Sequence, residues 1–324
     1  MSFDVLQEKI IALKNPTVAG LDPKPEYVPE HIRRESYGRY GETLEGAADA
    51  VLQFNKGLID ALCDIVPAVK PQSAYYERLG WHGMIALEQT IRYAHGKGMY
   101  VIADIKRGDI GSTAEAYADA WLGATKVGET LCQGFNADCV TLNGYMGADS
   151  VNPFLKVAGE RDKCVFILAK TSNPGSGELQ NVTAGDNDTV YGLMADLIEK
   201  WGAGTQGRYG YTRAGAVAGA TYPEELQKLR ARMPTPSCWC PATAPRAAPP
   251  RTCSTPSRTG GRVPSSTPPG ASSAPGRRPE RTERTTRRRP GTPPSPCGTI
   301  SAGSSPSAKE GRPCLFSSAA PWWR

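Results

Sequence analysis

The first 234 residues alternate between short apolar runs and longer stretches in which apolar residues recur at helical spacing. The runs lie at residues 17–20, 66–70, 100–105, 139–142, 165–169 and 215–220. Each run is almost continuously apolar, which is typical of a strand buried on both faces. The runs therefore predict the strands of a parallel β-sheet that is covered by helices.

Amphipathic stretches separate these predicted strands. They lie at residues 44–65, 84–95, 190–201 and 223–233. A further helix is predicted to start at Ser112, because serine is a good N-cap residue and Ala114, Tyr117, Ala118 and Trp121 follow it. Strand and helix thus follow one another along the whole segment.

This alternation predicts an α/β fold, a (β/α)8 TIM barrel. Six strand–helix units in about 230 residues fit a barrel better than a doubly wound sheet, since barrels take about 250 residues for eight units. By that count the barrel is incomplete, with about six βα units. The residues after 234 stand where the last two units should be.

Composition divides the chain at the same place. Residues 1–234 carry 24 Lys and Arg against 29 Asp and Glu, a net charge of −5, whereas residues 235–324 carry 14 against 3, a net of +11. The second segment also holds 18 of the 28 prolines. Such a Pro/Arg/Ser-rich segment cannot bury enough apolar surface to form a core. We predict a barrel domain at 1–234 and a disordered, low-complexity tail at 235–324.

Several classes of protein are disfavoured by the remaining composition. The cysteines show neither metal-ligand spacing nor a disulfide framework, and the histidines are scattered, so no metal site is expected. No apolar run approaches the length of a membrane span, and the N-terminus has no basic region followed by an apolar run. We expect a cytoplasmic protein that does not bind a membrane.

Charged residues follow the ends of the predicted strands, where barrel enzymes carry their chemistry. They are Asp22, Lys70, Asp104, Lys106, Asp109 and the segment 170–174. Singly, each could be a turn residue, a solvated strand end or a weak surface ion pair. Together they would converge on one face of the barrel, which is costly unless the charges are paired and used. Asp104 and Lys106 are two apart in a strand, so both should point to the same face.

The motif Asp104-x-Lys106-x-x-Asp109 resembles the core motif of the orotidine 5′-monophosphate decarboxylase family. The segments 69–72, 76–77, 103–114, 170–174 and 217–223 are similar to the bacterial type 2 branch of that family. These matches span about residues 17–233 in the right order. The resemblance implies decarboxylation of orotidine 5′-monophosphate (OMP) to UMP in de novo pyrimidine biosynthesis, without a cofactor, by a homodimer.

The resemblance also implies catalytic roles for four residues. Lys106 would protonate C6 of the pyrimidine after carbon dioxide leaves, and Asp104 would face the substrate carboxylate. Lys70 would belong to the same charged network, and Asp109 would reach the active site of the other subunit. An ammonium between carboxylates stays protonated, and it can stabilise the negative charge that develops on the ring.

Three further residues would bind the substrate, by the same resemblance. Asp22 would hold the ribose hydroxyls, Thr113 would reach across the dimer, and Ser172 would hydrogen-bond the pyrimidine edge. The remote contacts of such a substrate supply binding energy that promotes reaction at the ring.

Two phosphate-binding segments of the family are absent from this sequence: a Pro-Gly-Tyr-Gly-Ala-Gln-Gly loop and a strand ending in Asn-Ser-x-Arg-Gly. When the third base of each codon is read with the first two of the next, the codons of residues 238–253 permit the first segment. Those of residues 262–274 permit the second. Our hypothesis is a frameshift near Pro234, and we expect the chain as written to be insoluble or nearly inactive.

Three alternatives remain open. One is a sugar-phosphate decarboxylase of the same superfamily, which shares Asp-x-Lys-x-x-Asp but uses magnesium. Another is an inactive truncated product. The third is a nucleic-acid-binding tail, through Arg277-Arg278 and Arg287-Arg288-Arg289. The tail lacks interleaved aromatic residues, and its prolines permit no recognition helix, so we expect no nucleic-acid partner.

Overall fold

The computed structural model describes residues 2–185, 188–219, 223–241 and 315–318. The described helices are α1 (Ser2–Leu13), α2 (Glu30–Tyr40), α3 (Leu44–Leu62), α4 (Ser73–Glu77), α5 (Gly80–Gly96), α6 (Gly111–Trp121), α7 (Ala148–Glu160), α8 (Gly177–Gln180), α9 (Val190–Gly202) and α10 (Pro223–Arg232). The described strands are β1 (Thr17–Leu21), β2 (Ala68–Pro71), β3 (Tyr100–Arg107), β4 (Ala124–Val127), β5 (Thr130–Gln133), β6 (Cys139–Leu142), β7 (Cys164–Lys170), β8 (Thr183–Ala184), β9 (Asp188–Thr189), β10 (Ala214–Ala218), β11 (Cys238–Pro241) and β12 (Leu315–Ser318).

Eight parallel strands form a closed barrel in the order β1-β12-β11-β10-β7-β6-β3-β2. The remaining strands make two small antiparallel hairpins, β4-β5 and β8-β9. All six predicted strands are strands of the barrel, with boundaries shifted by at most two residues. The predicted TIM barrel is therefore confirmed.

About six strand–helix units are present, as the sequence predicts, but the expectation of an incomplete ring is corrected by β11 and β12. β11 pairs with β10, and β12 pairs with both β11 and β1, so two strands from beyond residue 234 complete the ring. Trp239 of β11 is buried and packs with its ring centroid 5.8 Å from that of Phe166. Composition averaged over the whole tail conceals such a short apolar segment. The rest of the predicted disordered tail, residues 242–314 and 319–324, lies outside the described residues.

The predicted helices are confirmed as α3, α5, α6, α9 and α10, whereas α1, α2, α4, α7 and α8 had no counterpart in the prediction. The proposed N-cap at Ser112 is wrong, since α6 begins at Gly111 and Ile110 occupies the cap position without a side-chain hydrogen bond. α3 is capped as its sequence suggests, because the Thr43 hydroxyl accepts from the Gly46 N–H.

The apolar core has two layers, one inside the barrel and one between the barrel and its helices. α1 contributes Phe3, Leu6 and Ile10 to the inner layer. The Phe3 ring lies 4.9 Å from that of Phe166 on β7. Apolar packing thus fills the barrel interior and leaves the carboxyl ends of the strands to polar residues. None of the described helices is long and apolar enough to cross a membrane.

Candidate active site

Four charged side chains form an alternating row at the carboxyl ends of β1, β2 and β3. Lys70 Nζ lies 2.8 Å from Asp22 Oδ1 and 3.4 Å from Asp104 Oδ2. Lys106 Nζ lies 2.6 Å from Asp104 Oδ1. The structure therefore brings together four of the residues that the strand-end pattern predicted to converge, in the order acid, base, acid and base.

The middle of this row is buried and its ends are open. The side chains of Lys70 and Asp104 are 6% and 5% exposed, whereas those of Asp22 and Lys106 are 35% and 44% exposed. Burial alone would raise the pKa of Asp104, but the ammonium groups of Lys70 and Lys106 outweigh it and hold that pKa below its usual value. Asp104 is thus a buried carboxylate that stays ionised because cations surround it.

Lys106 reaches Asp104 through an irregular backbone and not through simple strand alternation. Its φ is +47°, in the left-handed region that is uncommon for a lysine. The register between β3 and β6 shifts between Ala103 and Arg107. The side chains of Asp104 and Lys106 do meet, but a bulge aims the lysine and leaves it partly in solvent.

Two neutral residues complete the environment of Asp104, and sequence reasoning gave neither of them a role. Gln72 Nε2 donates to Asp104 Oδ2 at 2.9 Å, and the Thr141 hydroxyl donates to Asp104 Oδ1 at 2.7 Å. Gln72 directly follows β2, and Thr141 is the one hydroxyl residue in the apolar strand β6. A polar residue inside a strand buried on both faces was the available signal for Thr141.

Asp109 and Thr113 lie at the start of α6, apart from this row. The Asp109 carboxylate accepts from the Ile110 N–H at 2.8 Å, and the Asp109 N–H donates to Ser150 Oγ at 3.1 Å. Thr113 is exposed. No contact of either side chain with Lys106 occurs among the described residues of the single chain.

Ser172 lies on the loop after β7 and is half-buried. This loop packs against the end of β10, where a Cβ atom built on Gly219 would lie 3.0 Å from the Ser172 nitrogen. Gln180 ties the loop to its own base, because its Oε1 accepts from the Thr171 N–H at 2.9 Å and its Nε2 donates to Thr171 Oγ1 at 2.7 Å. The matching segment 217–223 continues into residues 220–222, which lie outside the described residues.

Lys170 is a second buried lysine at the barrel mouth, separate from the Asp22–Lys106 row. Its ammonium donates to Asn181 Oδ1 and lies 4.0 Å from Glu225 Oε2 and 5.1 Å from the centre of the Tyr191 ring. These partners come from the loop after β7, from α10 and from α9. Lys170 therefore links the loop that contains Ser172 to helices α9 and α10.

A metal centre and a ligand cavity are two other kinds of site that could carry chemistry. Within the described residues, no group of three or more His, Cys, Asp or Glu side chains is placed to hold a metal ion. A cavity of about 260 Å³ is lined by residues of α2, α3 and α5, including Asp49, Trp81 and His82. None of the strand-end charges borders this cavity, so we assign the chemistry to the row of charges.

Comparison with known proteins gives a consistent picture. Residues 46–249 match the model of the orotidine 5′-phosphate decarboxylase / HUMPS family. An orotidine 5′-phosphate decarboxylase of Rhodopirellula baltica is 41% identical over 229 residues, which cover 71% of this chain and 74% of the relative. One of Clostridium perfringens is 36% identical over 236 residues, covering 72% and 76%. The structure of Leishmania donovani OMP decarboxylase matches with a TM-score of 0.58 and 33% identity, covering 75% of this chain and 80% of that one.

Proposed function

The chain belongs to the orotidine 5′-phosphate decarboxylase family, and we propose that it decarboxylates OMP to UMP in pyrimidine biosynthesis, with Lys106 as the proton donor to C6. The observation that carries this proposal is the alternating row of Asp22, Lys70, Asp104 and Lys106 at the mouth of the barrel. No cofactor takes part in the proposed reaction.

The reaction breaks the bond between C6 and the carboxyl carbon, and its electron pair stays on C6. Carbon dioxide leaves, and a proton passes from Lys106 Nζ to C6. The lysine then regains a proton from water, which its partial exposure permits. Because the ammonium is held by Asp104 before the reaction, it stabilises the developing negative charge without first having to reorient.

Asp104 favours departure of the carboxylate by its own charge. It is kept ionised by Lys70 and Lys106, so a substrate carboxylate placed beside it meets a like charge. Two unit charges about 4 Å apart interact by roughly 4 kcal/mol at an effective dielectric near 20. That repulsion disappears as neutral carbon dioxide forms, whereas the attraction of Lys106 for the ring increases.

Two further substrate contacts are proposed from the positions of Asp22 and Ser172. Asp22 is the half-open end of the row and is suited to accept hydrogen bonds from ribose hydroxyls. Ser172 lies on a loop that Lys170 and Gln180 hold in place, and its hydroxyl would hydrogen-bond the polar edge of the pyrimidine. Both contacts are remote from the bond that breaks.

We place Asp109 and Thr113 at the active site of a second subunit. Neither residue joins the row of charges within the described part of one chain, and Ile110, between them in the sequence, is a large apolar side chain left exposed. Ile110 is 63% exposed, and the loop after the neighbouring strand β6 exposes Tyr145 and Met146. A homodimer would bury these side chains and bring Asp109 to the partner's Lys106.

The chain lacks the two phosphate-binding motifs of the family, so we expect its contact with the phosphate of OMP to be weak. The residues that follow β11 and β12, where the family carries its glutamine and arginine, lie outside the described residues, and their sequence lacks both motifs. We therefore propose that the chain as written binds OMP weakly and turns it over slowly. A cytoplasmic location and the lack of a nucleic-acid partner also remain part of the proposal.

The test is an OMP decarboxylation assay on the chain as written and on a frame-corrected version, both in the presence of EDTA. We expect turnover by the corrected chain and a much higher KM or lower rate for the chain as written. Resequencing across the codon of Pro234 tests the frameshift directly. The relatives do not favour a sugar-phosphate decarboxylase. Loss of activity in EDTA would support that alternative, because it would indicate a requirement for a metal ion.

A further inference from the structure

The register between strands β3 and β6 shifts at the candidate active site. Ile102 pairs with Cys139 and Ala103 with Val140, but the next pair is Arg107 with Leu142. Residues 104–106 of β3 therefore stand opposite the single residue Thr141 of β6. The bulge interrupts the backbone ladder between β3 and β6 at this point, whereas the other edge of β3 keeps a bridge between Asp104 and Gln72.

The side chain of Thr141 occupies the gap. The Lys106 N–H donates to Thr141 Oγ1 at 2.9 Å, and that hydroxyl donates its own proton to Asp104 Oδ1 at 2.7 Å. Thr141 is fully buried, and its bond to Asp104 is buried with it. One hydroxyl thus connects the backbone of Lys106 to the carboxylate of Asp104.

The backbone that this hydroxyl holds is an unfavourable one. Lys106 adopts a φ of +47°, which an L-residue keeps only when surrounding contacts enforce it. Such strain is found at active sites because it aims a side chain where regular secondary structure would not. Here it places Lys106 Nζ 2.6 Å from the same oxygen of Asp104 that Thr141 contacts.

We propose that Thr141 is a positioning residue for the decarboxylation, and that its hydroxyl sets the placement of the Lys106 ammonium relative to the Asp104 carboxylate. This inference rests on the proposed function of Lys106 and Asp104. Thr141 acts through those two residues and not on the substrate. A shape-conserving loss of the hydroxyl should therefore impair the chemical step more than substrate binding.

The pH dependence of kcat provides a second measurement that tests the role of Thr141. Lys70 from β2 and Lys106 from β3 face the Asp104 carboxylate, with Asp22 beyond Lys70 and the neutral Gln72 at its other oxygen. The hydrogen bond from Thr141 is one of the interactions that lower the pKa of Asp104. Without it, that pKa should rise, and the acid limb of the pH–kcat profile should move to higher pH.

The experiment compares Thr141→Val, which keeps the shape, with Thr141→Ser, which keeps the hydroxyl. We expect kcat of Thr141→Val to fall roughly 10- to 100-fold with KM within a few-fold, as for loss of a hydrogen bond to a charged group. Thr141→Ser should recover most of kcat. Thr125→Val, on the exposed strand β4, is the matched control. Unchanged kcat in Thr141→Val, or an equal loss in Thr141→Ser, would overturn the proposal.

A crystal structure of the Thr141→Val chain separates this inference from the proposed function. We expect Lys106 to leave the left-handed region or its Nζ to move out of hydrogen-bond reach of Asp104. If the wild-type chain does not decarboxylate OMP but this change is seen, the proposed function fails and the positioning role stands. If the geometry is unchanged, the positioning role fails whatever the activity. Thr141→Ala replaces Thr141→Val should the latter not fold.

Discussion

The ammonium of Lys106 lies 2.6 Å from Oδ1 of Asp104, and the two side chains differ sharply in exposure, at 44% and 5%. The anion of this pair is held inside the protein, whereas the cation touches solvent. A buried carboxylate keeps a fixed position and charge, and an exposed ammonium can be reprotonated by water. This asymmetry fits the proposed role of Lys106 as a proton donor that is reprotonated after each turnover.

Replacement of Lys106 by alanine should abolish most turnover without unfolding the chain. The proposed proton donor is lost, and a positioned general acid typically contributes 10²–10⁴-fold, so we expect kcat to fall by at least about 100-fold. The measurement is steady-state decarboxylation of OMP, in whichever of the as-written and frame-corrected chains is more active. Lys126→Ala, at an exposed position of β4, is the control. Near-normal turnover by Lys106→Ala would contradict the assignment.

Asp104 should make folding stability depend on acid pH. Its folded-state pKa is lowered, so its contribution is present above the unfolded-state pKa and is lost as the pH falls through the folded value. Urea unfolding of Asp104→Asn should therefore show a smaller loss of stability between about pH 5 and pH 2 than the parent chain does. The exposed Asp64→Asn is the control. Parallel pH profiles for parent and Asp104→Asn would argue against this coupling.

Gly219→Ala should disturb the Ser172 loop. The new Cβ would lie 3.0 Å from the Ser172 nitrogen and 3.1 Å from the Thr171 carbonyl carbon, so the loop must shift by a few tenths of an ångström. Because Ser172 is proposed to bind the pyrimidine edge, we expect KM to rise several-fold with a smaller change in kcat. Gly57→Ala in α3, where no atom lies within 4 Å of the new Cβ, is the control. Equal KM values for all three chains would show that the loop does not bind substrate.

Tyr76→Phe should destabilise the barrel without altering its charges. Asn55 Nδ2 donates to the Tyr76 hydroxyl at 2.9 Å in a fully buried setting beside the end of β1. A buried donor that loses one partner costs about 1–3 kcal/mol, and Asn55 keeps its bond to Thr90 Oγ1, so the lower part of that range is expected. Thermal and urea unfolding measure the effect, with the exposed Tyr27→Phe as the control. A stability equal to that of the parent would show that the hydroxyl contributes nothing.

Mixing two inactive variants should restore activity if Asp109 acts across a dimer. Lys106→Ala and Asp109→Ala would each lack one essential group, but a hybrid dimer would contain one site with both groups intact. Random exchange between subunits of a twofold dimer should recover roughly a quarter of the parent activity. Size-exclusion chromatography and the decarboxylation assay measure the result together. No recovery from a mixture that demonstrably forms hybrids would place Asp109 within its own subunit.

The grouping of charged residues at the strand ends could be predicted from sequence because a local rule governs it. In a parallel barrel every strand points the same way, so polar residues at the ends of apolar runs must meet at one rim. Asp22, Lys70, Asp104 and Lys106 are separated by up to 84 positions, yet they lie in one row. Gln72 was missed because its local sequence carries no signal. The one signal for Thr141, a hydroxyl residue inside an apolar strand, does not by itself separate a structural polar residue from one that supports a site.

The sequence by itself determined the periodicity, and hence the six strands, five of the helices and the charged residues at the strand ends. Only the tertiary structure decided how the ring closes, with β11 and β12 completing a barrel whose composition predicted a gap. Only the tertiary structure decided the bulge at Lys106 and its bond to Thr141. The reason is the same in both cases: a hydrogen bond between distant strands depends on their register, and register is a property of two segments packed together and not of either one alone.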